Sequence, residues 1–334
     1  MIIDCHAHVN APNELYIYKN NLMSSHGAHG YNAPSISDER LAEATARNIE
    51  LMDSVGTDVQ FISPRPFQMM HAAKPIALVQ HWTELVNNTI HRIVTSQPNR
   101  LQGVCAMPQA MGTEPKDWVS ELDRCINELG FVGTLINPDP SEGLNGTPPM
   151  GDEYWYPVYE KMCELDVPAL VHSSSCCNGR ESYSNHFITE ETIAILSLLN
   201  SSVFVDFPNL KIVIGHGGGS IPYQVGRWRA ERLHPMFNKA VPLKESFDDS
   251  LRRLNFDTCI HAKESLELLL NVCGSENCLF GTEKPGSGSA PDPTTGRDFD
   301  DIKPIIEGIS SLDEAQRSSI FEGNARSLYN RFTL

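Results

Sequence analysis

Ile2-Ile3-Asp4-Cys5-His6-Ala7-His8 begins as a short β-branched run and ends on two histidines spaced by one residue. Apolar residues in succession, rather than in strict alternation, suit a strand covered on both faces, as in a parallel sheet. A strand is expected over residues 2–5, and similar runs recur at residues 58–62, 101–107, 131–136, 169–171, 211–214, 254–258 and 278–280.

Helical patterns lie between these runs. Ser37 reads as an N-cap with Asp38 and Glu39 in the first turn, and Gly56 as the stop beyond Ser54. Further helices are expected over residues 75–97, 115–129, 152–165, 190–207, 220–233, 243–253 and 262–273. Repeated strand–helix units make this an α/β chain and predict a (β/α)8 TIM barrel; pattern alone also allows an open doubly wound sheet. No linker or composition break divides residues 1–334, so one barrel domain is expected over all of them. The stretches 9–36, 138–150, 173–188 and 284–297 follow strand ends and are long and rich in Gly, Asn, Ser and Pro. In a barrel such loops build the face where the chemistry takes place.

Composition narrows the partners. With 26 Lys and Arg against 42 Asp and Glu, the net charge is −16. Such a surface repels phosphate backbones, which argues against nucleic acid, and an anionic substrate must be met by a local basic group. The nine cysteines form no paired CxxC framework and read as reduced thiols. The N-terminal residues carry neither a basic nor an apolar leader segment, and no apolar stretch approaches the ~18 residues of a membrane span. A cytoplasmic protein without a membrane partner is expected.

Strand ends carry the chemistry. The first ends in His6-Ala7-His8, the fifth in His172, the sixth in His216 and the eighth in Glu283. Residues i and i+2 of a strand share a face, so His6 and His8 project together into the barrel mouth. Imidazole is the commonest metal ligand, and three protein ligands with an open position are the pattern of catalytic zinc. His6, His8, His172 and Glu283 are the expected ligands, with Zn²⁺ or another divalent ion such as Mn²⁺. His216 is expected to do acid/base work or support an oxyanion, and Glu283 to share in handling the water proton. Arg65, directly after the second strand, is the candidate to grip a substrate carboxylate through its planar fork; an ion pair with a neighbouring acid is the alternative. Asn137, Lys284 and His186 are further substrate-binding candidates. His216-Gly217-Gly218-Gly219 mimics an esterase oxyanion-hole motif, but no G-x-S-x-G elbow accompanies it. Its glycines suit a close approach of backbone to the site.

These motifs carry a resemblance. Ile3-Asp4-Cys5-His6-Ala7-His8, Val171-His172 and Ile214-Gly215-His216-Gly217-Gly218 resemble the signatures of the amidohydrolase superfamily over nearly the whole chain. The group it looks like contains aminocarboxymuconate semialdehyde decarboxylase, related aromatic-acid decarboxylases and 4-oxalomesaconate hydratase. Most of that group carries Asp after the eighth strand; Glu283 here is similar to the hydratase branch. So are Asn137-Pro138-Asp139-Pro140, Asp292-Pro293-Thr294-Thr295-Gly296, Phe299-Asp300-Asp301 and Phe321-Glu322-Gly323-Asn324. The loops at 173–187 and 284–290 match that branch less well. The resemblance implies a metal-dependent lyase of aromatic-compound catabolism. It would add water across the C=C bond of a small unsaturated keto-dicarboxylate or tricarboxylate. Decarboxylation of a carboxylic acid, or C–C or amide hydrolysis, on the same scaffold are the alternatives. A non-catalytic binding protein has no need of an open metal position. A homo-oligomer, at least a dimer, is also implied.

Overall fold

The computed structural model describes residues 1–144 and 146–334. Its eight strands are β1 (Ile3–His8), β2 (Val59–Ser63), β3 (Leu101–Ala106), β4 (Gly133–Ile136), β5 (Ala169–Val171), β6 (Ile212–Ile214), β7 (Asn255–Asp257) and β8 (Cys278–Leu279), paired in parallel and in chain order. Beyond β8 the chain returns to β1: Cys5 N donates to Phe280 O at 2.8 Å and Glu283 N to His6 O at 2.7 Å. The sheet is therefore a (β/α)8 barrel rather than an open doubly wound sheet.

Inside the ring, Ile3, Cys5, Phe61, Val104, Leu135, Leu170, Val213 and Leu279 form one buried cluster. A second cluster lies outside the ring, where Ala7, Ile62, Ile136, Val171, Ile214 and Phe280 meet the helices. Simple alternation from Ile3 and Cys5 would turn His6 and His8 outward. A break in the β1–β2 register between Asp4 and Ala7 resets the parity, sending Ala7 out and both histidines in.

The helices are α1 (Asn13–Ser25), α2 (Asp38–Val55), α3 (Ile76–Ser96), α4 (Val119–Asn127), α5 (Tyr156–Leu165), α6 (Tyr183–Leu199), α7 (Val203–Asp206), α8 (Val225–Leu233), α9 (Phe247–Leu251), α10 (Lys263–Cys273), α11 (Lys303–Glu307), α12 (Glu314–Ser318) and α13 (Asn324–Leu328). Ser37 accepts Arg40 N to cap α2, and Gly56 ends it at φ 75°, as its sequence predicts. Several boundaries differ: α8 starts at Val225 rather than near 220, and the helix expected over 190–207 is two, α6 and α7. α6 starts at Tyr183 rather than near 190, because Ser182 caps it by accepting Asn185 N ahead of the apolar pattern. α1 occupies part of the stretch read as a long loop; Leu15 and Leu22 are its buried residues, too few for a clear apolar stripe. The C-terminal segment, for which no element was expected, closes the barrel floor: Tyr329 and Phe332 pack edge-on against Phe61, centroids 4.9 and 5.1 Å away.

Candidate metal centre and its cavity

Four imidazoles converge at the open end of the barrel. Ring centroids of His6, His8 and His172 lie 5.0 to 5.2 Å apart, and His216 is 4.7 Å from His172. Ligand-type atoms of His6, His8, His172 and Glu283 all fall within 4.8 Å of one another. His6 and His8 come from β1, while His172 and His216 follow β5 and β6. Glu283 follows β8 on a backbone pinned at two places: its own N–H reaches His6 O, and Asp4 accepts both the N–H and the hydroxyl of Thr282 at 3.0 and 2.7 Å.

Each histidine is fixed through Nδ1. His6 Nδ1 donates to Asp257 Oδ2 at 2.5 Å, His172 Nδ1 to Ser173 O at 2.6 Å and His216 Nδ1 to Glu191 Oε1 at 2.8 Å. His8 Nδ1 lies 2.9 Å from Ser63 Oγ, whose own proton has the carbonyls of Ala7 and Pro64 as acceptors. A carbonyl or carboxylate only accepts, so Nδ1 carries the proton and Nε2 the lone pair in His6 and His172. Among the described residues all four Nε2 atoms are buried without a hydrogen-bond partner. Buried polar atoms are ordinarily paired; the unpartnered Nε2 atoms of His6, His8 and His172, gathered with Glu283 within 4.8 Å of one another, fit a cation. The donor set of three imidazoles and a carboxylate, with outer partners orienting the rings, suits a divalent metal.

The electrostatics agree. Burial pushes His8 down to about 4, with only partial relief from Glu283, and burial among the other imidazoles puts His172 well below its ordinary value. Both rings are therefore neutral near pH 7, as ligands must be. Burial opposes charging of Glu283, but His216 and His8 outweigh it and keep it ionised. Burial also opposes charging of His216, yet Glu191 and Glu283 hold its pKa well above the ordinary histidine value. His216 Nε2 stands 3.9 Å from Glu283 Oε2.

Two of the six non-glycine residues at positive φ among the described residues stand here. His216 and Glu283 sit at φ 49° and 59°, a region where a side chain costs roughly 1–3 kcal/mol. Gly218 shows why glycine follows His216: at φ +82° a Cβ would meet the Phe256 ring at 2.8 Å.

A cavity of about 640 Å³ opens over the cluster, lined by His8, Asn10, Arg65, Phe67, Tyr183, Glu283 and Ser287 among others. Arg65 donates Nε to Val9 O at 3.1 Å and Nη2 to Asn10 Oδ1 at 2.5 Å. Among the described residues it pairs with no carboxylate, unlike the exposed Arg229 on Asp248. The other candidate contacts lie off the lining. Asn137 is buried and spends its side chain on the backbone of Asp139; Lys284 bridges Asp298 and Asp300 at 2.7 and 2.6 Å; His186 is buried against Glu181. Sequence reading missed Asp257, Glu191 and Ser63, which orient the histidines, and Tyr183 and Phe187. For Asp257 the signal was an acid at the end of the seventh strand.

The sequence model of the family described as Amidohydrolase matches residues 3–331. The chain belongs to the amidohydrolase family. This family member is 38% identical over 338 residues to 2-keto-4-carboxy-3-hexenedioate hydratase of Sphingobium sp. (strain SYK-6), spanning 99% of this chain and 96% of that one. Its fold superposes with a TM-score of 0.88 and 33% identity on 4-oxalomesaconate hydratase from Rhodopseudomonas palustris, covering 99% and 96% of the two chains. A dihydroxybenzoic acid decarboxylase from Polaromonas sp. JS666, solved with bound manganese and the inhibitor 2-nitroresorcinol, shares 25% identity and a TM-score of 0.73 over 98% of this chain and 96% of that one.

Proposed function

We propose that this amidohydrolase-family member is a metal-dependent hydro-lyase acting on a small unsaturated keto-acid with two or three carboxylates. The observation that carries the reading is a carboxylate and an imidazole facing each other across one open site: Glu283 Oε2 and His216 Nε2, 3.9 Å apart. Addition of water needs both a proton acceptor and a proton donor, and this pair supplies them at one place. Whole-length likeness to two hydratases supports the same class.

His6, His8, His172 and Glu283 would hold the cation, for which we assign Zn²⁺, with Mn²⁺ the alternative. When bound, it supplies Lewis-acid activation of water and of substrate oxygens. Arg65 binds a substrate carboxylate, its guanidinium held in place by Val9 and Asn10. Glu283 takes a proton from water as the water oxygen bonds to the alkene carbon distal to the carbonyl. The π pair moves towards that carbonyl, giving an enolate. His216, oriented by Glu191, delivers a proton to the carbon next to the carbonyl and is recharged from Glu283. One water is consumed and nothing leaves. We place the protein in the cytoplasm as a homo-oligomer. All nine cysteines are free thiols, and no helix of the described residues is long and apolar enough to cross a membrane.

Reaction of an accepted unsaturated keto-acid in ¹⁸O-labelled water tests the reading. We expect one labelled oxygen on the new hydroxyl carbon, loss of conjugated ultraviolet absorbance and no CO₂. Stoichiometric CO₂ with no new C–O bond would make the protein a decarboxylase instead.

A further inference from the structure

A second group of ligand-type side chains meets outside the cavity, between the loop after β4 and the inner face of α6. One ring nitrogen of His186, one oxygen of Asp139 and one of Glu190 lie within 4.8 Å of one another. His186 and Glu190 are four residues apart on α6 and so share a face. Asp139 follows β4, in a turn it stabilises by accepting Ser141 N at 3.0 Å, Gly143 N at 2.6 Å and the Ser141 hydroxyl.

His186 is the informative member. It is only 1% exposed, its Nδ1 lies 2.7 Å from Glu181 Oε2, and its Nε2 has no partner among the described residues. One nitrogen fixed by a carboxylate and the other buried with nothing to bond is the arrangement of His6 on Asp257 repeated. The group is also short of positive charge. Among the described residues no Lys or Arg pairs with Asp139 or Glu190, and burial together with Asp139 pushes the Glu190 carboxyl up to about 7.

We propose that Asp139, His186 and Glu190 form a second divalent-cation site, separate from the one at the strand ends. An imidazole beside two carboxylates takes Zn²⁺ or Mn²⁺ in preference to Ca²⁺ or Mg²⁺, which favour oxygen alone. Its position gives it influence over the reaction site, because α6 carries three groups to that site. Tyr183 lines the cavity, Phe187 packs on His172 and stacks on His216, and Glu191 holds His216. A cation joining Asp139 to His186 and Glu190 would clamp α6 to the β4 loop. The inference does not rest on the hydratase reading.

The test is zinc stoichiometry of chelator-stripped full-length protein, by calorimetric titration and elemental analysis after desalting, with anomalous diffraction at the zinc edge to place each ion. The unsubstituted protein should bind two zinc ions, and Glu190→Gln and His186→Gln one each. His172→Ala should lose the strand-end ion and keep this one, so failure of the two sites is told apart. Glu190 lies partly exposed on a helix surface, so Glu190→Gln remains informative if His186→Gln does not fold. A single zinc in the unsubstituted protein, or two zincs retained by Glu190→Gln, would overturn the proposal. So would a second anomalous peak at any other place.

Discussion

Arg65 enters the cavity with Nε and Nη2 already committed to Val9 and Asn10, so its fork is preset before any ligand arrives. Losing a charge-assisted contact of this kind costs roughly 1.5–3 kcal/mol. Arg65→Met should therefore lower kcat/KM by about 10- to 150-fold, and Arg65→Lys should recover only part, because ammonium cannot reproduce the planar fork. Unchanged kcat/KM for Arg65→Met on every accepted carboxylate would return the residue to a structural role. Asp257 acts one step further out, through His6. Asp257→Asn keeps the shape but removes the charge that fixes the His6 tautomer, and metal affinity should fall by about 10- to 100-fold. Competition with a chromophoric chelator measures it; equal affinity in the two proteins would remove the orienting role. The grouping of His6, His8, His172 and Glu283 was legible because each stands at or just beyond a strand end, and strand ends can be read locally. The partners were not. Asp257 stands 251 residues from His6, and only the closed ring brings them to 2.5 Å.

At the scale of elements, the strands were legible to within a few residues, since continuous apolar runs identify buried parallel strands. What decides where the histidines of β1 point was not. The register break between Asp4 and Ala7 depends on the pairing with β2, and nothing in Ile3–His8 alone announces it. The segment between β2 and α3 yields a pH prediction. His71 is buried there with Nδ1 2.9 Å from Gln109 O, and burial lowers its pKa to about 4. In the unfolded chain it titrates near 6.5. The folded state binds this proton less readily, so its contribution to stability is intact above pH ~6.5 and declines as pH falls towards 4, by about 3 kcal/mol in full. His71→Asn retains a donor for Gln109 O without the titration. Urea unfolding at pH 7 and pH 5 should show a smaller loss in the variant than in the unsubstituted protein, and equal losses would exclude His71 as the cause.

For the molecule as a whole, the barrel is a packed core closed at one end and reactive at the other. Tyr329 belongs to the interior cluster with Ile3, Cys5, Phe61 and Val104. Truncating a fully buried aromatic typically costs about 3–5 kcal/mol. Tyr329→Ala should lower the urea midpoint accordingly while leaving the candidate metal ligands, at the opposite end, in place. A midpoint within error of the unsubstituted protein would mean that the floor is dispensable. This closure was not read in the sequence: after Phe280 no strand-like run flags the segment, and α11 to α13 are each only five residues long.

The floor also bears on how the chain is made. Ile3 stands in the same cluster as Phe332, the N-terminal amine lies 2.9 Å from Glu322, and β1 finds its second neighbour only beyond β8. A ribosome releases the first strand long before the residues that complete it. While synthesis continues, His6 and His8 are held without His172 and then without Glu283, on a strand with one edge unpaired. Such an edge recruits other strands. The open edge of β1 therefore stays exposed to mispairing until β8 and the residues just beyond it have docked, and shielding by a chaperone should matter up to that point.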